Sequence, residues 1–350
     1  MTLFNTVTAA CLALCLIARG AHAEPAAVDG PARGQAIDAL VVQLRDYYVF
    51  PELGEAIGAE LRVRQRRGDY EELADAKVFA KKLTADLKEI GRDKHLRVTA
   101  NGAPRPAAAK PAAPPAPLAG TLKLKKPGGF GIEAVEILPG NIGYVELSGF
   151  HRLAGAGPAI TKAMTELADS DALIVDLRNN GGGDPAGVAF LSSYLFDQRT
   201  HLNDLYWREG NRTQEFWTDS EVPGKRYGQR KPVYVLTGPG TFSGGEEFSY
   251  NLQQLKRGTL VGETTGGGAN PGRVRELTPQ FSAFIPNGRA INPITKTNWE
   301  GVGVKPDVAM PAANALLAAH ALALEKLAVT DPQRAVQLRE QMAELTRRVD

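Results

Sequence analysis

The chain has 350 residues, 43% of them apolar and 23% charged, enough for one large domain or two smaller ones with a proper core. Lys plus Arg number 41 against 39 Asp plus Glu, and the formal charge of +2 offers no broad electrostatic footprint for nucleic acid or an anionic membrane. Both cysteines, Cys11 and Cys15, fall at the amino-terminal end.

That end reads as a signal peptide over residues 1–23. Residues 7–18 form an apolar run too short to span a bilayer comfortably, and Ala21-His22-Ala23 supplies small residues around a cleavage point before Glu24. The first six residues carry no Lys or Arg, which leaves a buried core helix as the alternative. Leu14 stands before Cys15 where a lipoprotein anchor would want a small residue. Cleavage after Ala23 removes both cysteines, and with them disulfides, thiolate metal sites and a thiol nucleophile. No later segment reads as long and apolar enough to cross a membrane. The expectation is a soluble protein of the periplasm or the exterior, with no membrane span.

Apolar residues at helical spacing predict helices over 36–50, 52–67 and 75–90, with Pro51 either ending the first or starting the second. They make a small helical domain over 34–100. Residues 103–120 are rich in Pro and Ala and read as a linker of polyproline character. Beyond it strands alternate with helices: strands at 142–147, 173–177, 233–236 and 259–261, and helices at 161–170 and 245–256. This pattern predicts an α/β core over 121–310. Residues 281–285 and 290–291, joined through Pro286-Asn287-Gly288, suggest a hairpin with Asn-Gly at its turn. Residues 311–350 are Ala/Leu-rich and helical, with a break at Asp331-Pro332.

Two segments could carry chemistry. In TGPGTFSGGEEF a buried strand runs through a Gly/Pro turn into Ser243, two glycines and a helix. A serine there stands at the positive end of the helix, and the amide of Gly244 points toward any oxyanion formed beside it. The same residues also fit a plain helix N-cap, with Glu246 completing a capping box. In DLRNNGGGDPAG three glycines follow a strand and present bare amides, a second source of oxyanion donors. Neither segment has the spacing of a phosphate or dinucleotide loop. Of the histidines beyond residue 23, His151, His201 and His320 read as surface or satisfied residues. His95, in GRDKHLRV, follows a helix end and opens a short strand that could carry it to a cleft. No compact zinc-ligand spacing is present, so neither metal nor cofactor is expected.

Taken in order, DLRNNGGG, TFSGGEEF, LVGETTGGG and NPITKTNWEGVGVKPD resemble the C-terminal processing (tail-specific) serine peptidases. The closer resemblance is to the branch of interphotoreceptor retinoid-binding protein-like bacterial peptidases and the tricorn protease core. YYVFPELGEAIGAELRVRQRRGDYEEL, FAKKLTADL and DKHLRV are similar to that branch's three-helix amino-terminal domain. The resemblance implies a crotonase-like α/β core built of ββα turns. It implies Ser243 as nucleophile, the amides of Gly182 and Gly244 as oxyanion hole, His95 as base and Glu300 of NWEGVG as its carboxylate. Lysine-dependent members carry a catalytic lysine where this chain has Gly268, which excludes a Ser–Lys dyad. Lys94 stands where the tricorn protease has an auxiliary serine. Too few residues separate His95 from the core for the PDZ domain that many members insert. The implied activity is an exported serine endopeptidase acting on extended or unfolded polypeptides through an acyl-enzyme. Relatives on this fold also bind small apolar ligands without catalysis, and hydrolysis of a non-peptide ester would use the same serine.

Overall fold

The computed structural model describes residues 27–101, 129–331 and 333–347; the expected signal peptide and linker lie outside the described residues. Three helices open the described chain. In α1 (Gly30–Tyr47) the Asp29 carboxylate caps the Ala32 amide. Pro51 starts α2 (Pro51–Arg66), where its missing N–H costs nothing. Asp75 caps α3 (Ala76–Gly91), which Arg92 ends in a left-handed conformation at φ 52°. That reversal turns the chain back through Asp93 and His95 into β1 (Arg97–Ala100). Ile37, Leu40, Leu44, Ile57, Leu61, Phe79, Leu83 and Leu87 are buried in one cluster between the helices.

The rest of the chain runs β2 (Ile132–Leu138), β3 (Ile142–Leu147), α4 (Leu153–Leu167), β4 (Ala172–Asp176), α5 (Pro185–Ser193), β5 (His201–Trp207), β6 (Arg212–Trp217) and β7 (Val233–Thr237). It continues with α6 (Gly244–Gln254), β8 (Thr259–Gly262), β9 (Gly272–Thr278), β10 (Phe281–Pro286), β11 (Gly288–Ile291), β12 (Val308–Ala309), α7 (Ala315–Thr330) and α8 (Ala335–Arg347). A six-stranded sheet of order β12-β8-β7-β4-β3-β2 forms the core, parallel except for the antiparallel edge strand β2. β4 and β7 are buried along their whole length, as strands covered on both faces must be. One face carries α4, α5 and α6; the other is covered by α7 and α8.

β1 adds to the core's own β9–β10 pair, with Arg97 opposite Phe284. Phe281, Ala283 and Ile285 of β10 enter the cluster of the amino-terminal helices. The helical part is therefore tied to the core by a shared sheet and a shared apolar cluster.

Two expectations are corrected. β10 and β11 do not pair: β10 joins β9 and β1, while β11 joins β5 in a separate sheet. The amides of Asn287 and Gly288 both donate to the Pro271 carbonyl, at 3.1 Å each, so Asn-Gly makes a crossing between sheets. Second, the stretch Ala312–Thr330 is long and apolar enough to cross a membrane by length and composition. Its Ala315, Ala319, Ala323 and Leu324 are buried against Ile174 and Leu236, the packing of a core helix. Its leucines are interspersed with alanine and interrupted by His320, Glu325 and Lys326, so no continuous bulky run marks it in the sequence.

Candidate active site

β4 and β7 lie side by side and parallel, with Asp176 opposite Leu236, so the loops leaving their carboxyl ends meet. The β4 loop holds Gly181-Gly182-Gly183 and the β7 loop holds Ser243. A Cβ built on Gly182 would lie 2.7 Å from both the Ser243 Cβ and the Gly244 amide, a closeness only glycine permits. Gly182 also has φ +95°. Ser243 itself has φ 52° and ψ −116°, a conformation L-residues rarely adopt and one that costs on the order of 1–3 kcal/mol. It stands at the start of α6, where the Gly245 amide donates to Phe242 O at 2.9 Å and the Ser243 side chain takes part in a capping box with Glu246.

Asn180 braces this junction. It is fully buried; its Nδ2 donates to Leu147 O at 3.0 Å and its Oδ1 accepts the Gly182 amide at 2.9 Å. The Gly182 amide is thus already engaged, unlike the simple donor expected from the sequence. The Phe242 amide donates to Asn180 O at 2.9 Å, which ties the serine loop to the glycine loop.

A third loop, after β8, is fastened by Glu246. Its carboxylate accepts the Ser243 amide (2.9 Å), the Gly267 amide (2.6 Å), the Gly268 amide (2.8 Å) and the Thr265 hydroxyl (2.5 Å). Glu246 is thus the return half of the expected capping box and also the anchor of the GETTGGGA loop. Burial raises its carboxyl above the ordinary value, while these four donors pull it down. A Cβ on Gly268 would lie 2.3 Å from the Phe242 ring and 2.8 Å from His95 Cε1, so no side chain fits there. Lys94 reaches the Gly266 carbonyl and bridges the helical part to this loop.

His95 is 6% exposed and packs over Phe242, the residue before Ser243, with ring centroids 4.6 Å apart; Phe284 stacks nearby at 5.9 Å. Burial first, then the charges of Arg97 and Lys88, lower its pKa to about 4, so the ring is neutral at pH 7. Among the described residues its Nδ1 has no hydrogen-bond partner, and it lies 3.8 Å from Asp93 Oδ1. Asp93 is 2% exposed; it accepts the His95 amide (2.9 Å), the Tyr48 hydroxyl (3.2 Å) and the Asn270 side-chain amide (3.0 Å). Glu300 completes the group: one side-chain atom each of Asp93, His95 and Glu300 lies within 4.8 Å of the others. Burial, with the Asp93 charge beside it, pushes the Glu300 carboxyl up to about 8. Three donors take three of the roughly four lone-pair sites of the Asp93 carboxylate and leave one free toward His95.

Ser243, Gly182 and Gly244 come together at one junction, and His95 and Glu300 come together beside Phe242. Trp299 is 2% exposed and donates to Gly268 O at 2.8 Å, flooring the loop. The other histidines lie elsewhere: His201 contacts Asp204 at 2.6 Å and stacks on Trp217, and His320 contacts Pro139 O at 2.8 Å. Sequence reasoning missed Asp93, Asn180 and the loop-anchoring part of Glu246. Asp93 and Glu246 sit inside quoted motifs, but their partners come from segments far away in the chain.

The model for Peptidase family S41 matches residues 141–310, and that for the N-terminal domain of Peptidase_S41 in eukaryotic IRBP matches 31–125. The chloroplastic C-terminal processing peptidase of Tetradesmus obliquus is 30% identical over 192 residues, 51% of this chain and 38% of that protein. The chain therefore spans well under half of that relative's length. A solved Parabacteroides merdae structure shares the fold at TM-score 0.56 and 18% identity, over 80% of this chain and 90% of that one. The tricorn protease structure aligns at TM-score 0.51 and 15% identity, over 90% of this chain and 37% of that one. With the two halves of the family pattern matched in order on the amino-terminal helices and on the α/β core, the chain belongs to peptidase family S41.

Proposed function

We propose that the protein is a serine endopeptidase that hydrolyses peptide bonds in extended or unfolded polypeptides, with Ser243 as nucleophile and His95 as base. The observation that carries the reading is Ser243 at φ 52° on the first turn of α6, with a buried, neutral imidazole packed on the preceding residue. Ser243 Oγ attacks the substrate carbonyl carbon and its proton passes to His95. Charge on the carbonyl oxygen meets the Gly244 amide and the helix dipole. Gly182 joins as a second donor when its amide exchanges Asn180 for the oxyanion. The tetrahedral intermediate expels the amine, which takes the proton from His95, and water then releases the acyl group with His95 again as base. A carboxylate of the Asp93–Glu300 cluster stabilises the imidazolium formed on the way. The apolar leader at residues 7–18 and Ala21-His22-Ala23 support export.

The test is covalent labelling of Ser243 by a fluorophosphonate, with hydrolysis of unfolded casein measured alongside. Parent protein labels at Ser243 and cleaves; Ser243→Ala does neither, and His95→Ala loses turnover. A Ser243→Ala protein that cleaves as well as the parent sinks the mechanism. An unlabelled parent that instead binds an apolar ligand tightly points to a non-catalytic binding protein.

A further inference from the structure

Two carboxylates face one imidazole, and their surroundings differ. Asp93 Oδ1 stands 3.8 Å from the unpartnered His95 Nδ1 and also accepts the His95 backbone amide, so the loop that carries the histidine is wound around this carboxylate. On its far side Asp93 takes a hydroxyl from the helical part, Tyr48, and a side-chain amide from the core, Asn270. Burial raises the Asp93 carboxyl, and these three donors pull it back toward the ionised form. Glu300 accepts the Ala269 amide on one oxygen, while its buried Oε1 has no partner among the described residues. Buried carboxyls this close do not both ionise readily, and the donor set decides which one keeps the charge.

We propose that Asp93 is the positioning carboxylate of the His95 base, and that Glu300 stands beside it as the protonated member of the pair. This rests on the reading of Ser243 and His95 as nucleophile and base. At 3.8 Å the Asp93–His95 contact is longer than a hydrogen bond, and an approach of about 1 Å makes one. Catalytic hydrogen bonds commonly tighten when substrate binds. Once made, the bond holds the proton on Nδ1 and leaves the lone pair on Nε2, the face needed to take a proton from a serine. The other charges acting on His95 are the cations Arg97 and Lys88, which oppose its protonation. Lys94 is held at the Gly266 carbonyl, and Glu246 acts on Glu300 from the core side. Asp93 is the opposite charge placed to stabilise the imidazolium.

The experiment follows the second-order rate of Ser243 modification by a fluorophosphonate from about pH 2.5 to 9, in the full-length protein and in variants whose melting is checked. Asp93→Asn should slow modification at pH 7 by about 10²–10⁴-fold, the range of an acid–base orienting group. It should also move the acid limb of the profile down by about one pH unit, because the charge that favours imidazolium is gone. Tyr48→Phe removes one donor from ionised Asp93 and should move the same limb upward. Glu300→Gln keeps the shape of a protonated carboxyl and should cost less than Asp93→Asn. Folded Asp93→Asn and Tyr48→Phe proteins whose limbs coincide with the parent's would overturn the proposal while leaving Ser243 labelled. So would a Glu300→Gln protein that carries the limb shift in place of Asp93→Asn. A parent that does not label at Ser243 overturns the underlying nucleophile–base reading and this proposal with it.

Discussion

A side chain at Gly268 would stand 2.8 Å from His95 Cε1 and 2.3 Å from the Phe242 ring. By the sequence resemblance, this is the position at which lysine-dependent members carry their base, and here the His95 imidazole crowds it. The two arrangements exclude one another sterically, so Gly268→Lys cannot restore a Ser–Lys dyad. Even Gly268→Ala should displace His95 or Phe242, with an overpacking cost of about 1–3 kcal/mol. Ser243 modification should fall at least about tenfold, since a displacement of this size misplaces the base. Modification of a Gly268→Ala protein at the parent rate would show that His95 need not sit there.

Glu246→Gln should be the most damaging conservative change in the site. The carboxylate serves four donors from Ser243, Thr265, Gly267 and Gly268 in full burial. A glutamine offers one acceptor oxygen and turns its NH₂ toward amides that also donate. The expected loss is about 2–4 kcal/mol in urea unfolding, as for breaking a buried charged hydrogen-bond set. An unchanged midpoint would contradict the anchoring role.

Much of the element pattern was legible because local signals agree with tertiary needs. Asp75 caps α3, Pro51 opens α2, and the buried apolar runs of β3 and β7 fall where strands were expected. β6 and β9 went unseen, since their exposed, charged faces give little apolar alternation, and in β5 the polar Asn203 and Asp204 interrupt it. Asn287-Gly288 carried a strong local turn signal that lost to a non-local bond with Pro271. In the site, Ser243 and His95 stood out because each follows a recognisable element boundary. Asp93 did not, because its meaning lies in Tyr48, Asn270 and Glu300, which only folding brings near.

Asn180→Ala should destabilise the junction that holds the Gly182 amide. It strips Leu147 O and the Gly182 amide of their partner in a fully buried place. Two unsatisfied backbone groups cost about 2–4 kcal/mol together. Denaturant unfolding measures this directly, and a loss below about 0.5 kcal/mol would mean that water replaces the side chain without penalty.

The pH dependence of stability should carry a signature of Glu247, one residue beyond the Glu246 anchor. Glu247 is 4% exposed, and burial, aided by the Asp184 charge, pushes its carboxyl up to about 8. Its folded value thus lies above the ordinary unfolded value of about 4.3. A raised carboxyl binds its proton more tightly in the folded state, so its contribution is complete below about pH 4.3 and is lost as pH rises through about 8. Glu300 follows the same sign. His95 runs the other way: with a folded value of about 4, its contribution is complete above about pH 6.5 and falls away as pH drops through about 4. Comparing the parent with Glu247→Gln isolates one group from the rest. Relative to that variant, the parent should lose on the order of 1 kcal/mol of stability per pH unit between about pH 5 and 8. Thermal melting across that range reads the difference as a gap that changes by about 2–4 °C per pH unit. A gap that stays constant from pH 5 to 8 would mean that Glu247 titrates at its ordinary value in the folded protein.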